Sequence, residues 1–157
     1  MMEPREPPVL VSACLAGCEC RFDGSANTQD AIARLVAEER AVTVCPEEDG
    51  GLGTPRPAAE IVGGDGHDVL AGRARVVTDR GEDVTEAYLR GAEMALAAAR
   101  TAGASTAVLK ARSPSCGKGV IYDGSFSATR RAGDGVTVAL LQQNGIEVIS
   151  DEEFRGS

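Results

Sequence analysis

What most constrains the fold of this chain is an alternation. Short aliphatic runs recur along it, separated by segments whose apolar residues fall at helical spacing. Val9-Leu10-Val11-Ser12, Ala41 to Val44, Thr106 to Leu109 and Ile146 to Ile149 read as four strands, the first apolar enough to be buried on both faces. Between them, Asn27 or Thr28 is the expected cap of a helix carrying Ile32, Leu35 and Val36 on one face. Asp83-Val-Thr-Glu86 has the spacing of a capping box, opening a helical pattern through Tyr88, Gly91, Ala92, Ala95 and Ala98 that ends at Gly103. Asp134 is the expected cap of a further helix, through Leu141 to Asn144-Gly145. Strands alternating with helices need crossover connections, so the expected fold is α/β: a Rossmann-like, mainly parallel sheet of about four strands flanked by helices. Ala74 to Thr78 reads as a short extra strand. Glu47 to Gly66, rich in glycine and proline, reads as a long loop, which compact domains usually keep for function.

At 157 residues the chain has the length of one domain, expected at 9–154 behind an N-terminal extension, 1–8. A domain of this size buries roughly two-thirds of its unfolded surface and needs no disulfides to fold. Its five cysteines are an odd number, and the start of the chain does not read as a secretion signal, so the expected compartment is the cytoplasm. No stretch approaches the roughly 18 apolar residues of a membrane span. A net charge of −8 is a poor footprint for binding a nucleic acid polymer, which leaves a small molecule as the expected substrate of a monomer or homodimer.

The cysteines then acquire a geometry. Cys14 follows the first strand, Cys45 ends the second and Cys116 lies in the loop after the third. In an open parallel sheet these are all carboxyl ends, where ligands bind, so residues far apart in sequence converge there. A free cysteine taken singly is most often a buried core residue. Three at one sheet edge, each beside glycine or proline, instead suggest a shared pocket of thiolates. Zinc suits tetrahedral sulfur, but its structural sites usually draw on closely spaced pairs, and no Cys-x-x-Cys occurs. The Cys14-x-x-x-Cys18-x-Cys20 group is one residue short of a radical-enzyme cluster motif. A cubane cluster ordinarily takes four thiolates, so three would leave one iron open as a Lewis acid.

Several motifs together carry a resemblance: Val11-Ser-Ala-Cys-Leu-Ala-Gly17, Cys20-Arg-Phe-Asp-Gly24, Cys45-Pro-Glu47, Pro55-Arg-Pro57, Lys110-Ala-Arg-Ser-Pro-Ser-Cys-Gly117 and Ile121-Tyr-Asp-Gly-Ser-Phe126. In this order, over about Val9 to Phe154, the chain resembles the domain of unknown function 523, a family that includes the thiouracil desulfidases. The resemblance implies a [4Fe-4S] cluster held by Cys14, Cys45 and Cys116, with Glu47 as the carboxylate beside it and Ser113 as a hydroxyl at the site. It also implies removal of sulfur from a thiocarbonyl small molecule, such as a thiolated nucleobase, without net redox change. Cys18 is a spectator in this reading, and Cys20 a spare ligand or sulfur relay.

The chemistry assigns further expectations. Glu47, two residues from a ligand, is a candidate proton-transfer group whose pKa partial burial would raise; its plain alternative is an exposed loop carboxylate, as expected for Glu48 and Asp49. Ser113 either bonds the substrate or starts a turn before Pro114. Arg21 with Asp23 is a possible loop ion pair, and Lys110 with Arg112 a possible counter-charge for substrate or cluster, or a structural pair. Arg56 has its direction fixed by Pro55 and Pro57. His67, the only histidine, is expected at the surface. Two rival classes remain: an iron–sulfur or zinc binding and redox-sensing module without catalysis, and a persulfide-transfer protein using Cys18 or Cys20.

Overall fold

In the computed structural model, residues 8–19, 21–26 and 28–154 are described. Four parallel strands, β1 (Val9–Ser12), β2 (Ala41–Val44), β5 (Thr106–Leu109) and β8 (Glu147–Ser150), form one sheet in the order β2-β1-β5-β8. The α/β fold expected from the alternation is present. Adjacent residues of a strand point to opposite faces, and both faces are covered. Leu10, Ala107 and Leu109 pack with α4 (Thr85–Ala102) and α5 (Val136–Gln143) through Ala95, Ala99, Val138 and Leu141. Val11 and Val108 pack on the other side with Ile32 and Leu35 of α1 (Asp30–Ala37). Full burial of a Leu or Val side chain contributes about 1.5–3 kcal/mol, so this two-sided packing dominates the energetics of the sheet.

The segment read as one long loop contains structure. It holds α2 (Pro46–Asp49), β3 (Ala59–Val62) and the start of α3 (Gly66–Leu70). β3 pairs antiparallel with β4 (Arg75–Thr78), the extra strand expected near 74–78. A second antiparallel ribbon, β6 (Val120–Tyr122) with β7 (Arg130–Ala132), was not expected. Its second strand is exposed at all three residues, so it carries no alternating pattern. A third apolar cluster, including Ile61, Val76, Tyr88, Ala92 and Ile121, joins both ribbons to α4.

Three caps differ from expectation. Helix α1 begins at Asp30 behind Gln29, without a side-chain cap; Thr28 lies before it, and Asn27 is outside the described residues. Helix α4 forms no capping box: Asp83 Oδ1 accepts from Thr85 N at 2.9 Å, while Glu86 faces Arg90. Helix α5 starts behind Gly135, because the Asp134 carboxylate is committed to Gly119 N and His67.

Candidate active site

β2 lies on one side of β1 and β5 on the other, so the chain reverses its direction of travel across the sheet between β1 and β5. The loops leaving such a switch point part and leave a crevice at the carboxyl ends. Here that crevice is a cavity of about 410 Å³, and Cys14, Cys45, Glu47, Ser113 and Cys116 all line it. Cys14 and Cys116 are buried and Cys45 is half-buried. Cys18 is exposed and lies outside the lining; Cys20 is not among the described residues.

Each cysteine is set by local backbone structure. Cys14 sits in the 3-10 turn Ala13–Ala16, closed by Gly17 at φ 105°, a left-handed conformation that glycine adopts without strain. Cys45 is the N-cap residue of α2, with Pro46 in the first turn; its N–H donates to Asp49 Oδ2 at 3.3 Å. Cys116 lies in a turn organised by Ser113, whose Oγ accepts from Ser115 N and Cys116 N, both at 3.1 Å. Ser113 therefore starts a turn as well as lining the cavity. The carbonyls of Pro114, Ser115 and Gly117 in turn accept from Val136 N, Thr137 N and Gly135 N at 2.7–2.9 Å, satisfying amides that a helix start leaves without partners.

Glu47 has more defined surroundings than an exposed loop carboxylate. Gly50, which follows α2, meets α4 at Gly91: a Cβ on Gly91 would lie 1.9 Å from Pro46 O, and one on Gly50 2.0 Å from Ala87 O. Only glycine permits this approach, and it brings the Tyr88 hydroxyl to Glu47 Oε1 at 2.6 Å. The other carboxylate oxygen accepts from Arg56, whose side chain is 6% exposed against 16% for Glu47. Arg56 is itself fixed by donation to Gly53 O (3.1 Å) and Thr54 Oγ1 (2.9 Å), and Thr54 donates to Glu48. Glu48 is thus half-buried and bonded rather than free at the surface, while Asp49 is exposed as expected. Tyr88 is 3% exposed; burial first, then the neighbouring Glu47, push its phenol well above the usual value, so it is a neutral donor.

Burial pushes the Cys14 thiol up to about 11, against a smaller pull down from Lys110, and the Cys116 thiol up to about 12, against its bond from Ser12. Ser12, buried, also accepts from Lys110 N at 3.0 Å. Buried Asp151 accepts from Ala111 N at 2.6 Å and from Gln29, tying the loop after β5 to α1. The sequence reading missed Tyr88, Ser12 and Asp151 as parts of the site's frame. A tyrosine on the buried face of a helix must place its hydroxyl somewhere, which is the signal that points to Tyr88.

Other pairings resolve differently. Arg112 pairs with Glu152 at 2.8 Å, leaving Lys110 as the member of that pair without a salt bridge among the described residues. Asp23 binds Ser25 N and Oγ rather than Arg21, and Arg21 lines the cavity. His67 is half-buried, bonded to Asp134 (3.1 Å) and Gln143 (3.2 Å). Asp65, His67 and Asp134 form the only group of three His, Cys, Asp or Glu residues, among the described residues, whose donor atoms all lie within 4.8 Å of one another. At least one pair among the three thiols is therefore farther apart than that. One zinc ion, with Zn–S bonds of about 2.3 Å, gathers its sulfurs more closely. A cluster in which each thiolate has its own iron needs the wider spread, so the donor set fits an iron–sulfur cluster better than a single ion.

A parallel α/β sheet with a cysteine-lined cavity at its switch point is the class defined by fold and site. The model of the 2-thiouracil desulfurase family matches residues 9–153, and the chain belongs to that family. It is 54% identical over 146 residues to the uncharacterized protein YbbK of Bacillus subtilis (strain 168), covering 93% of this chain and 97% of that protein. Among solved structures it is similar to the [4Fe-4S]-dependent thiouracil desulfidase TudS, with a TM-score of 0.83 and 43% identity over 95% of this chain and 93% of that one.

Proposed function

We propose that this protein is a [4Fe-4S]-dependent desulfidase acting on a thiocarbonyl small molecule of the thiouracil kind, with Cys14, Cys45 and Cys116 as the cluster ligands. The observation that carries this reading is the convergence of three thiols and a doubly held carboxylate on one cavity at the sheet's switch point. Three ligands would leave one iron open as a Lewis acid for the substrate's sulfur. The overall change is hydrolytic: C=S and water give C=O and hydrogen sulfide, with no electron transferred. Glu47 accepts the proton of the attacking water, and Tyr88 and Arg56 hold its carboxylate. Ser113, after accepting two backbone amides, retains its own O–H to donate to the substrate. Lys110 adds positive charge beside Cys14.

The domain is 9–154, and cysteines outside disulfides fit the cytoplasm; no helix among the described residues is long and apolar enough to cross a membrane. The working unit is a monomer or homodimer acting on a small molecule, with no nucleic acid polymer involved. The wide spacing of the thiols weighs against a zinc module, and the exposure of Cys18 outside the cavity weighs against its use as a persulfide carrier.

Anaerobic purification should give about four irons per chain. Cys14→Ala, Cys45→Ala and Cys116→Ala should each lose the cluster, and Cys18→Ala should keep it. Glu47→Gln should keep the iron and slow sulfide release from 4-thiouracil by about 10²–10⁴-fold. Stoichiometric zinc without iron would overturn the cofactor. Iron-replete wild type that releases no sulfide from any thio-base would overturn the activity.

A further inference from the structure

We propose that Tyr88 is a positioning residue for the reaction, acting through Glu47 by fixing the plane of its carboxylate; this rests on the desulfidase reading above. A carboxylate at the end of a glutamate side chain turns readily about its last torsion, which has only broad preferences. Two bonds from opposite partners remove that freedom. Tyr88 takes one acceptor position on Oε1 at 2.6 Å, and Arg56 takes one on Oε2. Each oxygen has about two such positions, so one remains on each for water or substrate.

The two partners come from independent parts of the fold. Tyr88 projects from the longest helix and is packed in the cluster with Val76, Ala92 and Ile121. Arg56 comes from the loop between α2 and β3, held at Gly53 O and Thr54 Oγ1, with its own N–H on Phe22 O at 2.7 Å. The backbone contact between α2 and α4 sets the distance from Tyr88 to Glu47. A buried phenol could have bonded a backbone carbonyl; here it bonds Glu47, a carboxylate that lines the cavity with the thiols. A preset acceptor avoids reorganising at the moment of proton transfer, and misplacing a catalytic group by about 1 Å costs on the order of 10²-fold in rate.

The test is a double-mutant cycle on the iron-loaded, full-length protein with 4-thiouracil. Tyr88→Phe removes one oxygen and keeps the ring. It should leave iron content unchanged and lower kcat by about tenfold, with KM held within about twofold. In the Glu47→Gln background the same change should lower kcat by less than about twofold, because the group it positions no longer accepts the proton. A structural role alone would lower kcat equally in both backgrounds, and that result overturns the proposal, as does Tyr88→Phe turning over like wild type. A second readout does not depend on turnover: the melting temperatures of the two single variants and the double should be non-additive, the double falling no further than the lower single. Additive shifts would deny the coupling. An iron-replete wild type that releases no sulfide overturns the activity itself, and the melting cycle then still decides whether Tyr88 and Glu47 are coupled.

Discussion

Cys14 and Cys116 reach the cavity from β1 and β5, the two central strands, whereas Cys45 reaches it from β2 at the sheet's edge. The central pair are fixed by the sheet and its two packed faces, and both are buried. Cys45 is half-buried, and its placement depends on α2 lying against α4 through Gly50 and Gly91. Two of the proposed ligand positions are therefore properties of the core and the third is a property of one helix contact. Glu47 shares that contact with Cys45, so the edge side carries both a proposed ligand and the proposed proton acceptor. The cavity should be rigid on one side and sensitive to small backbone changes on the other.

The largest effect should come from Gly91→Ala. In an open helix position this change stabilises by about 1 kcal/mol through propensity. Here the new Cβ would stand 1.9 Å from Pro46 O, and backbone cannot yield as a side-chain tip does. Overpacking typically costs 1–3 kcal/mol, enough to reverse the gain. Gly91→Ala should lower the melting temperature, lower iron content and lose activity through displacement of Cys45 and Glu47. A variant as stable and iron-replete as wild type would show that the edge side is not set by this contact.

A smaller effect concerns the central side alone. In the iron-free protein, burial raises Cys14 to about 11 and Cys116 to about 12, so the folded state keeps protons that the unfolded state releases near 9. That contribution is complete below the unfolded value and is lost as pH rises through the folded values. Resistance of the iron-free protein to urea should therefore fall from about pH 9 upward, and Cys116→Ala should flatten the fall. An equally steep fall in Cys116→Ala would assign it to other groups.

The smallest effect belongs to Asp49→Ala. It removes the acceptor of Cys45 N–H at an exposed helix start, a loss worth about 0.5–1 kcal/mol. Melting should drop by a few degrees, with iron content unchanged. Loss of iron in this variant would make the cap, rather than the glycine contact, the determinant of the edge side.

The alternation of apolar runs and helical patterns is a local signal, and all four strands of the parallel sheet were legible from it. The convergence of the cysteines followed, because strand ends in such a sheet share an edge. Features made by pairing across the chain were not legible. Helix α2 is four residues long, too short for periodicity, and it hid within the glycine-rich stretch. β3 is recognisable only once β4 lies beside it. Proline on both sides of Arg56 announced a fixed side chain without naming its partner nine residues away. Asp134 had the right residue type for a cap, but His67 and Gly119 N compete for the same carboxylate and hold it. The Tyr88 ring was visible as part of the buried face of α4, whereas its hydroxyl acquired a partner only from the helix crossing.

The loop bearing Cys116 has one further property. Its carbonyls close the first turn of α5, the Ser115 hydroxyl bonds that of Thr137 in the interior at 2.6 Å, and Gly135 sits where any Cβ would fall 2.4 Å from Ser115 O. Loops usually open far more readily than the core, at a free energy well below that of global unfolding. This one should have no such independent opening, since to part from α5 it must strip the helix of its first amide partners. Amide protons of Gly135 to Thr137 should consequently exchange with solvent only as slowly as the core strands do, and Cys116 belongs to the same cooperative unit as the sheet it extends.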